Sequence, residues 1–135
     1  MGYKVSNVLF VCKENKYRSQ IAEALFNSIT TKHHATSAAG NEPAKEVSKD
    51  AISLLKITYD IDMNQQKPKR LTKSLLDNAD KIIILCDPKD CIFIPKSYAT
   101  EHWDIPKMET LDEESKIKAL DKLRQKIAEL IAELN

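Results

Sequence analysis

The chain has 135 residues, of which 42% are hydrophobic and 30% charged, with a formal net charge of +1. That length predicts one domain, residues 1–135, with a core of its own. The near-neutral balance argues against nucleic acid as a partner. No window reaches the roughly 18 to 20 apolar residues of a membrane span, and no secretory pattern opens the chain. Three cysteines, Cys12, Cys86 and Cys91, are too few for a disulfide framework and read as reduced or redox-active thiols of a cytoplasmic protein.

In chain order, Asn7-Val8-Leu9-Phe10-Val11 is an apolar run that suits a central parallel strand ending at Cys12. From Ser19 to Ile29, helical spacing puts Ile21, Ala22, Leu25, Phe26 and Ile29 on one face. Neighbouring His33 and His34 lack Cys or acidic partners at ligand spacing, so they read as a solvated turn and no metal site is expected. A short strand over Thr36 to Ala39 closes at Gly40, and a second helical pattern runs from Val47 to Ile57. The run Lys67-Pro68-Lys69-Arg70 reads as a solvated loop, followed by a short helix near Thr72 to Asn78 with Thr72 as its N-cap. Lys81 to Cys86 is the clearest strand, and a brief one is expected around Glu101 to Trp103. From about Leu111 to Leu134 the spacing predicts a long amphipathic helix with Ile117, Leu120, Leu123, Ile127, Leu130, Ile131 and Leu134 facing in. Strands alternating with helices are the grammar of an α/β, doubly wound domain, whose ligands sit at the carboxyl ends of its strands. Cys12 and Cys86 both fall there.

Cys12-Lys13-Glu14-Asn15-Lys16-Tyr17-Arg18-Ser19 stands between a strand and a helix. Consecutive amides wrapped at a helix N-terminus can converge on one anion, which makes Lys13, Glu14, Asn15, Lys16, Tyr17 and Arg18 the expected oxyanion cradle. The same positive field favours a Cys12 thiolate, the nucleophilic form. Arg18 can offer its planar fork to two oxygens, and Ser19 is placed to donate a hydrogen bond to the thiolate. Asn15 tolerates positive φ and can brace the loop.

Val8-Leu9-Phe10-Val11-Cys12 through Arg18-Ser19-Gln20-Ile21-Ala22-Glu23-Ala24 resembles the low-molecular-weight protein tyrosine phosphatases and, equally, the thioredoxin-coupled arsenate reductases that share their fold. Ser37-Ala38-Ala39-Gly40 and Ala79-Asp80-Lys81 fit the same pattern, so the resemblance spans essentially the whole chain. It implies a four-stranded parallel sheet in the order 2-1-3-4 flanked by helices, a covalent intermediate on Cys12, and no cofactor. Two departures stand out. Glu14 occupies a position where the family usually has Gly, and should turn outward toward Lys13 or Lys16. The Asp-Pro pair that the family carries shortly before the last helix, whose Asp protonates the leaving oxygen, is missing there. An ungapped reading puts Lys107-Met108 there, with Asp104 as the nearest substitute carboxyl and Glu109 the next.

Gln20 after Arg18-Ser19, the Cys86-x4-Cys91-x3-Pro95 spacing and Glu101-His102-Trp103 resemble the reductases more than the phosphatases. The first reading is therefore arsenate reduction by a relay. In it Cys12 attacks arsenate, Cys86 displaces arsenite, and Cys91 forms a disulfide with Cys86 for thioredoxin to reduce. The alternative is an aryl phosphatase acting on phosphoproteins through a phosphocysteine. A non-catalytic phosphate-binding regulator is the third.

Overall fold

The structure, a computed structural model, describes residues 4–87 and 94–135. Strand β1 (Asn7–Cys12) is its axis, because the run from Val8 to Val11 is apolar on both faces and almost fully buried. Side chains alternate across a strand. Val8, Phe10 and Cys12 therefore enter one core, with α1 (Arg18–Ile29), α2 (Lys49–Tyr59) and α4 (Glu113–Leu134). Leu9 and Val11 enter a smaller core on the other face, beneath Leu75 and Leu76 of α3 (Lys73–Asn78). Helices on both faces make the sheet doubly wound.

Strands β2 (His34–Ala39), β3 (Lys81–Ile84) and β4 (Thr100–His102) complete a four-stranded sheet in the order β2-β1-β3-β4. Every pairing is parallel, with Cys12 opposite Ala39 and Val11 opposite Ile84. The expected sheet is thus the observed one. Thr72 caps α3 as expected, its hydroxyl accepting from the Leu75 amide at 3.1 Å. Ser48 caps α2 and Asp112 caps α4 in the same way.

Three expectations are corrected. In α4, Ile117 is 40% exposed, whereas Lys116 is only 7% exposed. Each three-residue step along a helix falls roughly 60° short of a full turn, so a 117-120-123 row drifts off the core face. The stripe instead follows Lys116, Ala119, Leu120, Leu123 and Ile127, and the Lys116 ammonium ends 3.0 Å from Asp50. His33 is buried rather than on a solvated turn. Its Nδ1 accepts from the Ser6 amide at 3.0 Å, and Nε2 lies 2.8 Å from Oδ1 of Asn135. Ile29, the last residue of α1, is 39% exposed and only marginally part of its inner face.

Candidate active site

Between β1 and α1 the chain must turn through the five residues Lys13 to Tyr17, and its carbonyls decide how. The carbonyls of Cys12, Lys13, Glu14 and Lys16 accept from the amides of Gly40, Asn41, Ala44 and Ser48 at 2.8 to 3.0 Å. That of Asn15 accepts from the Gln20 side chain at 2.9 Å, and that of Tyr17 from the Ile21 amide at 3.0 Å. A trans peptide points its N–H opposite its C=O. Carbonyls tied outward from Cys12 to Tyr17 therefore turn the amides of Lys13 to Arg18 inward, as an anion cradle requires.

Asn15 is the pin of this loop. Its φ of 56° lies in the left-handed region, which Asn tolerates better than most residues. Fully buried, it donates through Nδ2 to the hydroxyls of Ser19 at 2.8 Å and Ser37 at 2.9 Å. Its Oδ1 accepts from the Lys69 amide at 3.0 Å. Gln20 adds a link to Gln66, whose amide donates to the Gln20 side chain at 2.8 Å. Lys69 thus belongs to the bracing of the site, although its run reads as a solvated loop. Ser37, Gln66 and Lys69 carry no local signal for that role.

The loop shapes a cavity of about 250 Å³. Cys12, Lys13, Glu14, Lys16, Tyr17 and Arg18 line one side, and Lys107, Glu109 and Thr110 line the other. Asn15 and Ser19 stand behind the wall. The Cys12 sulfur, a free thiol, lies 2.8 Å from the Ser19 hydroxyl. Arg18 is buried, and its Nη1 donates to the carbonyls of Leu85 at 2.7 Å and Ile105 at 2.8 Å. Those bonds anchor one side of the guanidinium between β3 and the segment after β4.

The charges around this cavity are mixed. Glu14 does turn toward Lys16, at 3.9 Å, and Glu109 approaches the same ammonium at 3.6 Å from the facing wall. Tyr17 is buried, and its hydroxyl donates to Asp50 at 2.5 Å. Burial, reinforced by the Asp50 carboxylate, pushes the Tyr17 phenol far above its ordinary range, so it keeps its proton. The bond from Tyr17, with help from Lys116, holds the Asp50 carboxyl below the usual range against the opposing effect of burial. Tyr17, Asp50 and Lys116 so tie the loop to α2 and α4.

The remaining expected site residues are arranged differently. Asp104 is exposed and does not line the cavity; its carbonyl accepts from Lys122 at 2.9 Å. The carboxyl that does reach the facing wall is Glu109. Cys86 is buried just past β3 and is disulfide-bonded, and its carbonyl lies 2.8 Å from His102 Nε2. Cys91 lies outside the described residues. Among the described residues no group of His, Cys, Asp and Glu could hold a metal ion.

The profile of the family described as low molecular weight phosphotyrosine protein phosphatase matches residues 7–135. An arsenate reductase of Oceanobacillus iheyensis is 31% identical over 128 residues, covering 92% of this chain and 91% of the relative. The crystal structure of an arsenate reductase from Archaeoglobus fulgidus superposes with a TM-score of 0.79 at 30% identity, covering 93% of this chain and 98% of the other. A low molecular weight protein tyrosine phosphatase from T. tengcongensis gives 0.77 at 27% identity, covering 95% and 99%.

Proposed function

This chain belongs to the low molecular weight phosphotyrosine protein phosphatase family, a family of enzymes, and on that premise we propose that it reduces arsenate with Cys12 as nucleophile. The observation that carries the nucleophile is the Cys12 thiol, 2.8 Å from Ser19, at a cavity ringed by inward-turned amides and Arg18. Amides, Arg18 and the helix N-terminus stabilise the bound oxyanion and the thiolate alike. Ser19 donates to the thiolate, holding it as nucleophile and later as leaving group.

Arsenate is favoured over a phosphate ester by the arsenate reductases among the relatives and by a second cysteine beyond the neighbouring strand. Leu85 donates its amide to the Val11 carbonyl at 2.8 Å, so Cys86 follows directly on the backbone beside Cys12. In the relay the Cys12 thiolate bonds to arsenic and water departs. The Cys86 thiolate then attacks the Cys12 sulfur, and the sulfur–arsenic pair stays with arsenic, which leaves as arsenite. Two electrons have passed from the two sulfurs to arsenic. Cys91 next attacks Cys86, freeing Cys12, and a thioredoxin-like dithiol reduces the Cys86–Cys91 disulfide. Cys86 must enter this cycle as a thiol, so reduced protein is its starting point.

Arsenate should drive NADPH oxidation in the presence of reduced protein, thioredoxin and thioredoxin reductase. Cys86→Ser should lower that rate on the order of 10²-fold or more, because no second thiolate releases arsenite. The phosphatase reading predicts the opposite pattern. If arsenate drives no oxidation while wild type and Cys86→Ser hydrolyse an aryl phosphate equally, the protein is a phosphatase.

A further inference from the structure

The first turn of α2 meets the oxyanion loop at two consecutive residues. The Ser48 amide donates to the Lys16 carbonyl at 2.9 Å, and Asp50 accepts from the Tyr17 hydroxyl at 2.5 Å. The Ser48 hydroxyl caps the same helix, accepting from the Ala51 amide at 3.3 Å, so donor and acceptor belong to one ordered turn. A carboxylate is favoured in the first turn of a helix. Lys116 of α4 also donates to Asp50, at 3.0 Å. Tyr17 is the N-cap residue of α1, yet its side chain makes no cap hydrogen bond and reaches across to α2 instead. A Ser or Asp at that position would spend its side chain on the amides of the first turn, which Tyr17 leaves to an anion. Burial and the Asp50 carboxylate keep the phenol protonated, so it remains a donor through neutral pH and above.

We propose, on the reading that this loop binds an oxyanion, that Tyr17 is a positioning residue of the cradle, holding the amides of Tyr17 and Arg18 on the anion through Asp50. The Lys16 carbonyl, tied to Ser48, turns the Tyr17 amide inward. That bond fixes one peptide plane and leaves residue 17 free to pivot about it. The hydroxyl bond to Asp50 supplies a second point on the same turn of α2. Together they set how Tyr17 lies between Lys16 and α1, and so where the next amide, that of Arg18, is aimed. Preorganised donors act only at hydrogen-bond distance from the oxygen, and a pivot at Tyr17 lengthens two of them at once. The Arg18 guanidinium is anchored separately, on the carbonyls of Leu85 and Ile105. The two partners of Asp50 make different demands on it. Tyr17 needs an oxygen acceptor, whereas the buried Lys116 ammonium needs a negative charge.

Those demands separate in substitution. Wild type, Tyr17→Phe, Asp50→Asn and Asp50→Leu are titrated with inorganic phosphate by calorimetry and unfolded by heat. Tyr17→Phe removes one oxygen and no amide, and should weaken phosphate binding roughly tenfold, the effect of one lost hydrogen bond to a charged group. Its thermal midpoint should move little, because the half-exposed Asp50 keeps Lys116 and water. Asp50→Asn keeps an oxygen for the Tyr17 hydroxyl but takes the carboxylate from Lys116. Its phosphate affinity should stay within about threefold of wild type, since the acceptor is retained, while its midpoint falls further than that of Tyr17→Phe. Asp50→Leu, which removes the acceptor without touching the loop, should repeat the affinity loss of Tyr17→Phe, and the two changes combined should add nothing more. Equal phosphate affinity in wild type and Tyr17→Phe would overturn the inference while leaving the loop an oxyanion site. So would a loss in Asp50→Asn as large as that in Asp50→Leu, or affinities that simply follow the thermal midpoints. If the wild type itself binds no phosphate, the underlying reading fails and the inference falls with it.

Discussion

Cys12→Ser is expected to lower turnover of arsenate and of any phosphate ester roughly 10³-fold or more, the scale reached when a catalytic nucleophile is removed. A serine hydroxyl near neutral pH is almost wholly un-ionised, and among the described residues no general base is hydrogen-bonded at position 12. Its described partner is the hydroxyl of Ser19, which is itself bonded to Asn15. The cradle gains nothing from a neutral oxygen, because the inward amides and Arg18 act on negative charge. Stability should change by no more than about 1 kcal/mol, since the new hydroxyl is smaller and keeps a partner in Ser19. Thermal unfolding beside the kinetics separates the two effects. More than a few per cent of residual activity, with the thermal midpoint unchanged, would remove Cys12 as the nucleophile.

Arg18→Lys is expected to cost on the order of 10²-fold in turnover, the scale of one lost oxyanion donor, although it keeps the charge. In this fold the guanidinium has two tasks. Nη1 donates to the carbonyls of Leu85 and Ile105, while the side chain lines the cavity beside Cys12. A planar fork does both at once. A lysine ammonium has three donors on one atom and cannot hold two buried carbonyls while presenting a flat pair of N–H groups to an oxyanion. Either the substrate loses its bidentate partner, or the carbonyls lose theirs at about 1 to 3 kcal/mol each. Oxyanion affinity by calorimetry and unfolding by heat distinguish these cases. Unchanged affinity in a stably folded Arg18→Lys would place Arg18 outside the site.

The parts of this account legible in the sequence are those fixed by local pattern. The two-faced apolar run Val8 to Val11 suits a central strand, and the Cys12 to Arg18 spacing with Ser19 behind it suits a loop at the strand's carboxyl end. Asn15 is legible too, because positive φ in a tight loop selects for it, and φ is 56°. What was not legible depends on partners far along the chain. Lys116 is buried because Asp50, in another helix, meets its ammonium, and periodicity alone could not reveal that the stripe begins there and not at Ile117. The same Asp50 draws the Tyr17 hydroxyl into the interior. His33 is buried because the Ser6 amide and Asn135, at opposite ends of the chain, meet its ring. Asp104 and Glu109 lie five residues apart in a segment of no regular structure, where spacing does not say which carboxyl faces the cavity. Lys69 reaches Asn15 through its backbone, which side-chain chemistry cannot announce.

The central claim, that Cys12 attacks arsenate and hands the bond to Cys86, is tested most directly by the mass of the reduced protein before and after arsenate. The account predicts that arsenate, but not phosphate, removes a pair of hydrogens and links Cys86 to a second cysteine, and that thioredoxin restores the original mass. Three thiols still free after arsenate, in protein that hydrolyses an aryl phosphate, would contradict it.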